Sequence, residues 1–181
     1  MTVREIARLG EAVLRERAEA VLDPTAPEIA ALALDMIDTM IEADGIGLAA
    51  PQVRVPLRVI VFYDRFDEGE DAHVPIVLCN PYFEPLDDAL ETGEEGCLSI
   101  PGLRGPVPRF ARIRYSGLDL DGEQVEAEAE GLHARVVQHE IDHLDGVVYL
   151  ERMEDVGALA FSDIRNISTG ERPTGEGETQ P

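Results

Sequence analysis

The chain has 181 residues, 44% of them hydrophobic, and its 15 basic against 37 acidic side chains give a net charge of −22. This composition suits one globular domain, and no apolar run reaches the ~20 residues that a membrane-spanning helix needs. So acidic a chain repels phosphate backbones and anionic lipids. The first ten residues also lack the apolar centre of a secretory signal. We therefore expect a cytoplasmic protein that binds neither nucleic acid nor membranes directly.

Helical and strand patterns follow one another in the first half of the chain. Apolar residues recur at helical spacing from Pro27 to Asp44, where Asp44-Gly45 ends the pattern. The β-branched and aromatic runs from Arg58 to Asp64 and from Val74 to Cys79 predict two strands. Asn80-Pro81 is expected to close the second of them.

The dipeptide Asp121-Gly122 predicts a tight hairpin. It joins strand patterns at Phe110 to Leu120 and at Glu123 to Ala129, so antiparallel strands are expected. Residues 168–181 contain no aliphatic side chain and predict a disordered acidic tail. We therefore expect a single domain over residues 1–167, followed by this tail.

A second helix is predicted between Gly131 and Gly146, and at about 100° per residue its side chains form three stripes. Two stripes are largely apolar, and one of these carries His139 and His143. The third stripe is polar and consists of Arg135, Gln138, Asp142 and Asp145. Only the polar stripe is expected to face solvent. We therefore predict an α+β fold in which antiparallel strands pack around this buried helix in the C-terminal half of the chain.

Residues 139–143 read His-Glu-Ile-Asp-His, the H-E-x-x-H pattern in which two imidazoles on one helical face can chelate a divalent ion. Glu140 lies beside the histidines without being needed as a ligand, so it can act as a general base toward water. The alternative interpretation is a pair of core histidines held by ordinary hydrogen bonds.

A catalytic metal site needs a third protein ligand. The extended protease pattern H-E-x-x-H-x-x-G-x-x-H fails at Tyr149, and Glu151 and Glu154 follow too closely for a separate helix to return. Cys97 is a better candidate because it lies in an irregular, glycine-flanked stretch. A lone cysteine is as often a small buried hydrophobe, which is how we interpret Cys79. Two imidazoles and a thiolate accommodate ferrous iron, zinc, cobalt or nickel.

The segment at residues 45–52, Gly-Ile-Gly-Leu-Ala-Ala-Pro-Gln, contains two glycines after the predicted end of the first helix. By itself it is typical of a helix cap and turn. Its functional interpretation is a backbone that approaches a ligand closely, with Gln52 offering an amide N–H to a carbonyl oxygen.

Together, the segments at residues 45–52, 95–99 and 138–146 resemble the three signature segments of peptide deformylase, and the resemblance covers roughly residues 3 to 165. This family removes the formyl group from nascent bacterial polypeptides. The resemblance therefore implies a metal-dependent hydrolase that acts on N-formylmethionyl peptides and releases formate.

The resemblance also implies roles for individual residues. The implied metal ligands are Cys97, His139 and His143, which would hold one divalent ion per chain, usually Fe²⁺ in the family, with Zn²⁺, Ni²⁺ or Co²⁺ as replacements in a purified sample. The implied catalytic groups are Glu140 as acid and base, and the Gln52 side chain and Leu98 backbone N–H as donors to the formyl oxygen.

Family members bind their peptide in an extended conformation along backbone edges, which correspond here to the Gly47 and Gly96 segments. The methionine side chain enters an apolar pocket, and the positions that match this pocket are Ile46, Leu132 and Val136. Arg104 matches a position near the substrate backbone.

The C-terminal end departs from the relatives that dock on the ribosome through a basic helix, because residues 151–181 hold three arginines against seven acidic residues. The expected partners are nascent formyl-methionyl peptides, without ribosome docking through this end. Two alternatives are a zinc endopeptidase of the H-E-x-x-H type, which should survive loss of the Cys97 thiol, and a relative that binds formyl peptides without turnover.

Overall fold

The computed structural model describes residues 2–63 and 74–163 of the chain. The α+β class is confirmed. In chain order the elements are α1 (Pro27–Glu42), β1 (Gly47–Ala49), β2 (Val59–Phe62), β3 (Ile76–Pro85), β4 (Leu90–Cys97), β5 (Ile100–Phe110), β6 (Arg112–Leu118), β7 (Gln124–Glu130), α2 (Gly131–Leu144) and β8 (Ala160–Phe161). The predicted tail at 168–181 lies outside the described residues, so the domain boundary stays a prediction. No helix in the described ranges is long and apolar enough to span a membrane.

The described strands form two sheets in which every strand pair is antiparallel. The larger sheet has the order β1-β2-β3-β6-β7 and the smaller one the order β4-β5-β8. The predicted hairpin joins β6 to β7, and Gly122 in its turn adopts a φ of 79° that favours glycine. Strands β1 and β4 each lie at the edge of their sheet.

Strand β2 is buried on both faces and separates two parts of the core. Ile60 and Phe62 belong to one hydrophobic cluster with Val137, Ile141 and Leu144 of α2. The alternate residues, Val59 and Val61, belong to a second cluster with Met36 and Met40 of α1. Because side chains alternate along a strand, β2 carries α2 on one face and α1 on the other. Helix α2 is therefore covered, as predicted.

The prediction that the polar stripe of α2 faces solvent is wrong. Arg135, Gln138 and Asp142 are at most 8% exposed. The Gln138 amide exchanges two hydrogen bonds with the backbone of Phe110, and the two charged residues form ion pairs inside the protein. Only Asp145, at the end of the stripe, is substantially exposed. The partners come from distant strands, so the helix sequence alone could not reveal them.

Strand β3 continues through Asn80-Pro81, where the sequence predicted its end. Asn80 has a φ of 52°, and the register with β6 shifts between Cys79 and Tyr82. The Asn80 side chain accepts a hydrogen bond from the backbone N–H of Val21 and donates one to its C=O, which holds this bulge. A bulge accommodates a proline that cannot donate to the strand ladder.

The hairpin of β4 and β5 was not predicted, and Cys97 is the last residue of β4 instead of part of an irregular stretch. The three prolines and two glycines of β5 hide its alternation in the sequence. The pairing does become irregular at this point, since the register shifts between Gly96 and Cys97. The thiol therefore lies where the ladder ends.

Candidate metal centre

Cys97, His139 and His143 bring a thiol and two imidazoles together, with one ligand atom from each lying within 4.8 Å of the others. The thiol comes from the end of β4, and both histidines come from successive turns of α2. Cys97 Sγ lies 3.2 Å from His143 Nε2. The two other candidates for a third ligand, Glu151 and Glu154, are absent from this cluster, and Glu151 instead accepts a hydrogen bond from the Val148 N–H.

The chemistry of these donors fits a divalent transition-metal ion. Burial acts to raise the pKa of the Cys97 thiol, but the neighbouring His143 and His139 outweigh it and hold that pKa well below its usual range. This favours the thiolate, which is the form that binds metals. His139 Nδ1 is hydrogen-bonded to Glu95, which leaves Nε2 available as a ligand.

Glu140 lies directly against β1. A Cβ atom on Gly47 would overlap Glu140 Oε1, so a larger residue at this position would push aside the carboxylate or the strand. The other carboxylate oxygen, Oε2, is buried without a hydrogen-bond partner in the described part of the chain. Burial raises the pKa of Glu140 to about 7. A carboxyl group in this state can take up and release a proton near neutral pH.

The Gln52 side chain is held in one orientation. Its Oε1 accepts a hydrogen bond of 2.8 Å from the backbone N–H of Ala49. Its Nε2 consequently points the other way, toward Ser99 Oγ at 3.3 Å and Cys97 Sγ at 3.5 Å. The side chain is only 2% exposed. The structure thus presents amide N–H donors beside the thiol.

A buried ion network surrounds the cluster, and the sequence analysis did not assign it a role. Glu95 accepts two hydrogen bonds from Arg109, at 2.8 and 2.9 Å, and one from Arg135 at 2.9 Å. Arg109 also reaches Asp142, which pairs in turn with Arg152. Burial acts to raise the pKa of Glu95, but the hydrogen bonds outweigh it and the pKa lies below its usual range.

These positions did offer one signal before the structure. Glu95 belongs to a signature segment, and Asp142 is one of the two unspecified positions of H-E-x-x-H. An acidic residue in an otherwise buried helix or strand indicates a buried partner of opposite charge. Applied to Asp142, that rule would have predicted a buried arginine nearby.

A cavity of about 530 Å³ opens beside the cluster. Every residue for which the resemblance implies a role lines this cavity except His143, which lies behind the others and is 1% exposed. Those lining residues are Ile46, Gly47, Gln52, Gly96, Cys97, Leu98, Arg104, Leu132, Val136, His139 and Glu140. Val136 is buried while Ile46 and Leu132 are more than 40% exposed, so the apolar wall extends from the core to the rim.

Comparison with known proteins identifies the family of this chain. Residues 3–158 match the model of the family described as polypeptide deformylase. The chain is 51% identical over 165 residues to peptide deformylase 2 of Ralstonia nicotianae, covering 90% of this chain and 93% of that protein.

Two solved structures are similar over most of their length. The Met-Ala-Ser-bound crystal structure of a class I type b peptide deformylase from Acinetobacter baumannii has a TM-score of 0.76 at 36% identity, covering 84% of this chain and 99% of that one. The crystal structure of peptide deformylase from Thermotoga maritima has a TM-score of 0.77 at 38% identity, covering 86% and 100%. The family match spans all three signature segments. The chain therefore belongs to the polypeptide deformylase family of metal-dependent hydrolases.

Proposed function

We propose that this chain removes the formyl group from the N-terminal methionine of newly made polypeptides and releases formate. The observation that carries the proposal is a single cavity bordered by Gln52, Cys97, His139 and Glu140. It combines a candidate metal site, a buried carboxylate and an oriented amide donor, which are the groups that hydrolysis of an amide requires.

Cys97, His139 and His143 would hold one divalent ion, which supplies a Lewis acid that polarises the formyl group and acidifies water. We propose Fe²⁺ as the native ion. Zn²⁺, Ni²⁺ and Co²⁺ suit the same donors and are expected in samples prepared in air. The low pKa of the Cys97 thiol supports metal binding at neutral pH, because the thiolate is the form that binds metals.

Glu140 moves the protons in this proposal. Its carboxylate accepts a proton from the water whose oxygen attacks the formyl carbon, and it passes that proton to the amine as the C–N bond breaks. The buried Oε2 atom without a hydrogen-bond partner supports this role, because no protein group competes for it among the described residues. The products are formate and a peptide with a free amino terminus.

Gln52 and Leu98 stabilise the charge that develops on the formyl oxygen. The Gln52 amide is oriented before substrate binds, because the Ala49 N–H fixes its oxygen. The Leu98 backbone N–H is proposed as the second donor, from the turn that follows Cys97. Loss of one such donor typically lowers turnover about 100- to 1,000-fold.

The peptide itself is proposed to pair with two strand edges. Gly47 lies in β1 and Gly96 in β4, both edge strands that border the cavity. Pairing through backbone groups tolerates varied downstream residues, while an apolar pocket of Ile46, Leu132 and Val136 selects methionine. Arg104 is proposed to lie near the peptide backbone. The Acinetobacter baumannii relative with Met-Ala-Ser bound supports this class of ligand.

This proposal sets the expected partners and location. Nascent formyl-methionyl peptides are made in the cytoplasm, which is the location we propose. Ribosome docking through the acidic residues 151–181 is not part of the proposal. The test is mass spectrometry after incubation with formyl-Met-Ala-Ser and with casein. Loss of the formyl group alone supports the proposal, whereas cleavage of internal peptide bonds favours the endopeptidase and unchanged peptide favours the binding relative.

A further inference from the structure

We propose that residues 5–11, here called the strap, position both oxyanion donors of the active site. The inference rests on the proposed function, since it concerns the two donors, Gln52 and Leu98, assigned above. The strap lies near the amino terminus and runs past the cavity, with a turn at Leu9-Gly10, before the first short helix, Ala12–Leu14.

Two backbone hydrogen bonds join the strap to the donor segments. The Ala7 N–H donates to the C=O of Gln52 at 2.7 Å, and the Leu9 N–H donates to the C=O of Ser99 at 3.0 Å. Ser99 directly follows Leu98 in the turn between β4 and β5. The two donors are far apart in sequence: Gln52 follows β1 of the larger sheet, and Leu98 lies between β4 and β5 of the smaller one. The strap residues that bond to their segments, Ala7 and Leu9, are only two positions apart.

The strap is itself fastened to the segment that carries Gln52. Arg54, two residues further on, donates to the C=O of Glu5 at 2.9 Å and makes two hydrogen bonds to the Glu11 carboxylate at 2.8 and 3.0 Å. Ala7, between these anchors, is fully buried. Glu11 also accepts the Arg8 N–H at 2.7 Å. Both ends of the strap are therefore held by one arginine.

This arrangement bears on catalysis because an oxyanion donor acts only when it is correctly placed. A displacement of about 1 Å can lower a rate by about 100-fold. Between the donor segments, the Gln52 amide makes two long side-chain contacts, to Ser99 Oγ at 3.3 Å and to Cys97 Sγ at 3.5 Å. The strap adds two shorter backbone bonds, and its Ile6 and Arg8 side chains line the cavity. Its residues are positioning residues, not catalytic ones.

The first test compares Leu9→Pro with Leu9→Ala. Both variants remove a half-exposed side chain, but only proline removes the N–H that bonds Ser99. We expect Leu9→Pro to lower kcat for formate release by about 10- to 100-fold with a much smaller change in KM, because the donors act in the transition state. Leu9→Ala should retain the wild-type kcat. Gln52→Ala gives the kcat expected when one oxyanion donor is lost completely.

A second pair of variants keeps the inference testable if Leu9→Pro does not fold. Glu11→Ala breaks the fastening to Arg54, and Glu128→Ala removes a comparable exposed ion pair to Arg114, between strands β7 and β6. Glu11→Ala should lower kcat several-fold, and Glu128→Ala should not. Equal kcat values for Glu11→Ala and Glu128→Ala, or for folded Leu9→Pro and Leu9→Ala, would overturn the inference.

A spectroscopic measurement separates this inference from the proposed function. In ¹⁵N-labelled, zinc-loaded protein, the side-chain amide resonances of Gln52 should shift in Leu9→Pro and Glu11→Ala but stay in place in Leu9→Ala and Glu128→Ala. Absence of formate release by the wild-type protein would contradict the proposed function alone. If the Gln52 resonances do not shift in any of the four variants, the inference that the strap positions Gln52 is contradicted, while the proposed function is not.

Discussion

His139 Nδ1 lies 2.8 Å from Glu95 Oε2, and that carboxylate is held in place by Arg109 and Arg135. The hydrogen bond fixes the ring orientation and the tautomer of His139, so that Nε2 is the nitrogen available as the proposed ligand beside Cys97 and His143. Histidines that bind metals are commonly oriented in this way by a carboxylate on their second nitrogen. The ion network is thus a part of the site, although no member of it is a proposed ligand.

Glu95→Gln tests this role of the carboxylate. The amide keeps the shape of the side chain but weakens its hydrogen bond to His139, so the affinity for zinc should fall about 10- to 100-fold. Competition against a fluorescent chelator measures that affinity. Glu91→Gln, an exposed position on the same strand, serves as the control and should bind zinc as the wild type does. Equal zinc affinities in the two variants would show that Glu95 does not orient His139 for metal binding.

Arg109→Met tests what the network contributes to stability. The substitution removes the buried arginine that pairs with both Glu95 and Asp142, and leaves each carboxylate with a single arginine partner, Arg135 or Arg152. Removing one member of a buried ion pair costs about 3 to 5 kcal/mol, so the free energy of unfolding in urea should fall by that amount. Arg114→Met removes ion pairs from an exposed arginine and should leave the unfolding curve almost unchanged. Similar losses in both variants would contradict the prediction.

Gly47→Ala tests the contact between β1 and the proposed general base. The added methyl group would overlap Glu140 Oε1, so the carboxylate or the strand must move. We expect kcat/KM for formate release to fall about 100-fold with the metal content unchanged. The free energy of unfolding should also fall, and this second loss should disappear in the Glu140→Ala background, where the methyl group has room. A loss that persists there would show that the effect does not act through Glu140.

The two cysteines should differ in reactivity. Cys79 is fully buried, and burial raises its pKa to about 11, so its thiol stays protonated at pH 8 and ionises only as the pH approaches that value. Cys97 has the opposite shift, and the proposed metal would protect it from reagents. After chelation at pH 8, one thiol per chain should react with a thiol reagent, and the second only after denaturation. Two fast thiols in the folded protein, or a fast thiol in Cys97→Ala, would contradict this assignment.

Helix α2, which carries two residues of the candidate metal site, could be predicted because the sequence patterns that indicate it are local. H-E-x-x-H places His139 and His143 on one face through helical geometry alone, and the apolar stripes indicated that α2 is buried. The turn at Asp121-Gly122 was equally local. The choice of Cys97 over Glu151 was not settled by spacing, since it depends on how β4 returns to α2. The resemblance to a family supplied that long-range information.

The parts that the sequence concealed depend on partners far away in the chain. The polar stripe of α2 was interpreted as exposed because its residues are polar or charged. Two of the partners that pair with Arg135 and Asp142 inside the protein, Glu95 and Arg109, lie 40 and 33 residues away in the sequence. Strand β5 was hidden by its prolines and glycines. Backbone contacts such as those of the strap leave no trace in side-chain patterns, because any residue except proline can donate an N–H.

The central claim is tested most directly by the rate of formate release from formyl-Met-Ala-Ser. The protein is purified without oxygen and loaded with iron, and Glu140→Ala with the same metal content is the control. The account predicts rapid release by the wild type and its loss in the control, because Glu140 moves the proton in both halves of the reaction. Absence of release by folded, iron-loaded wild type, or equal release by Glu140→Ala, would contradict it.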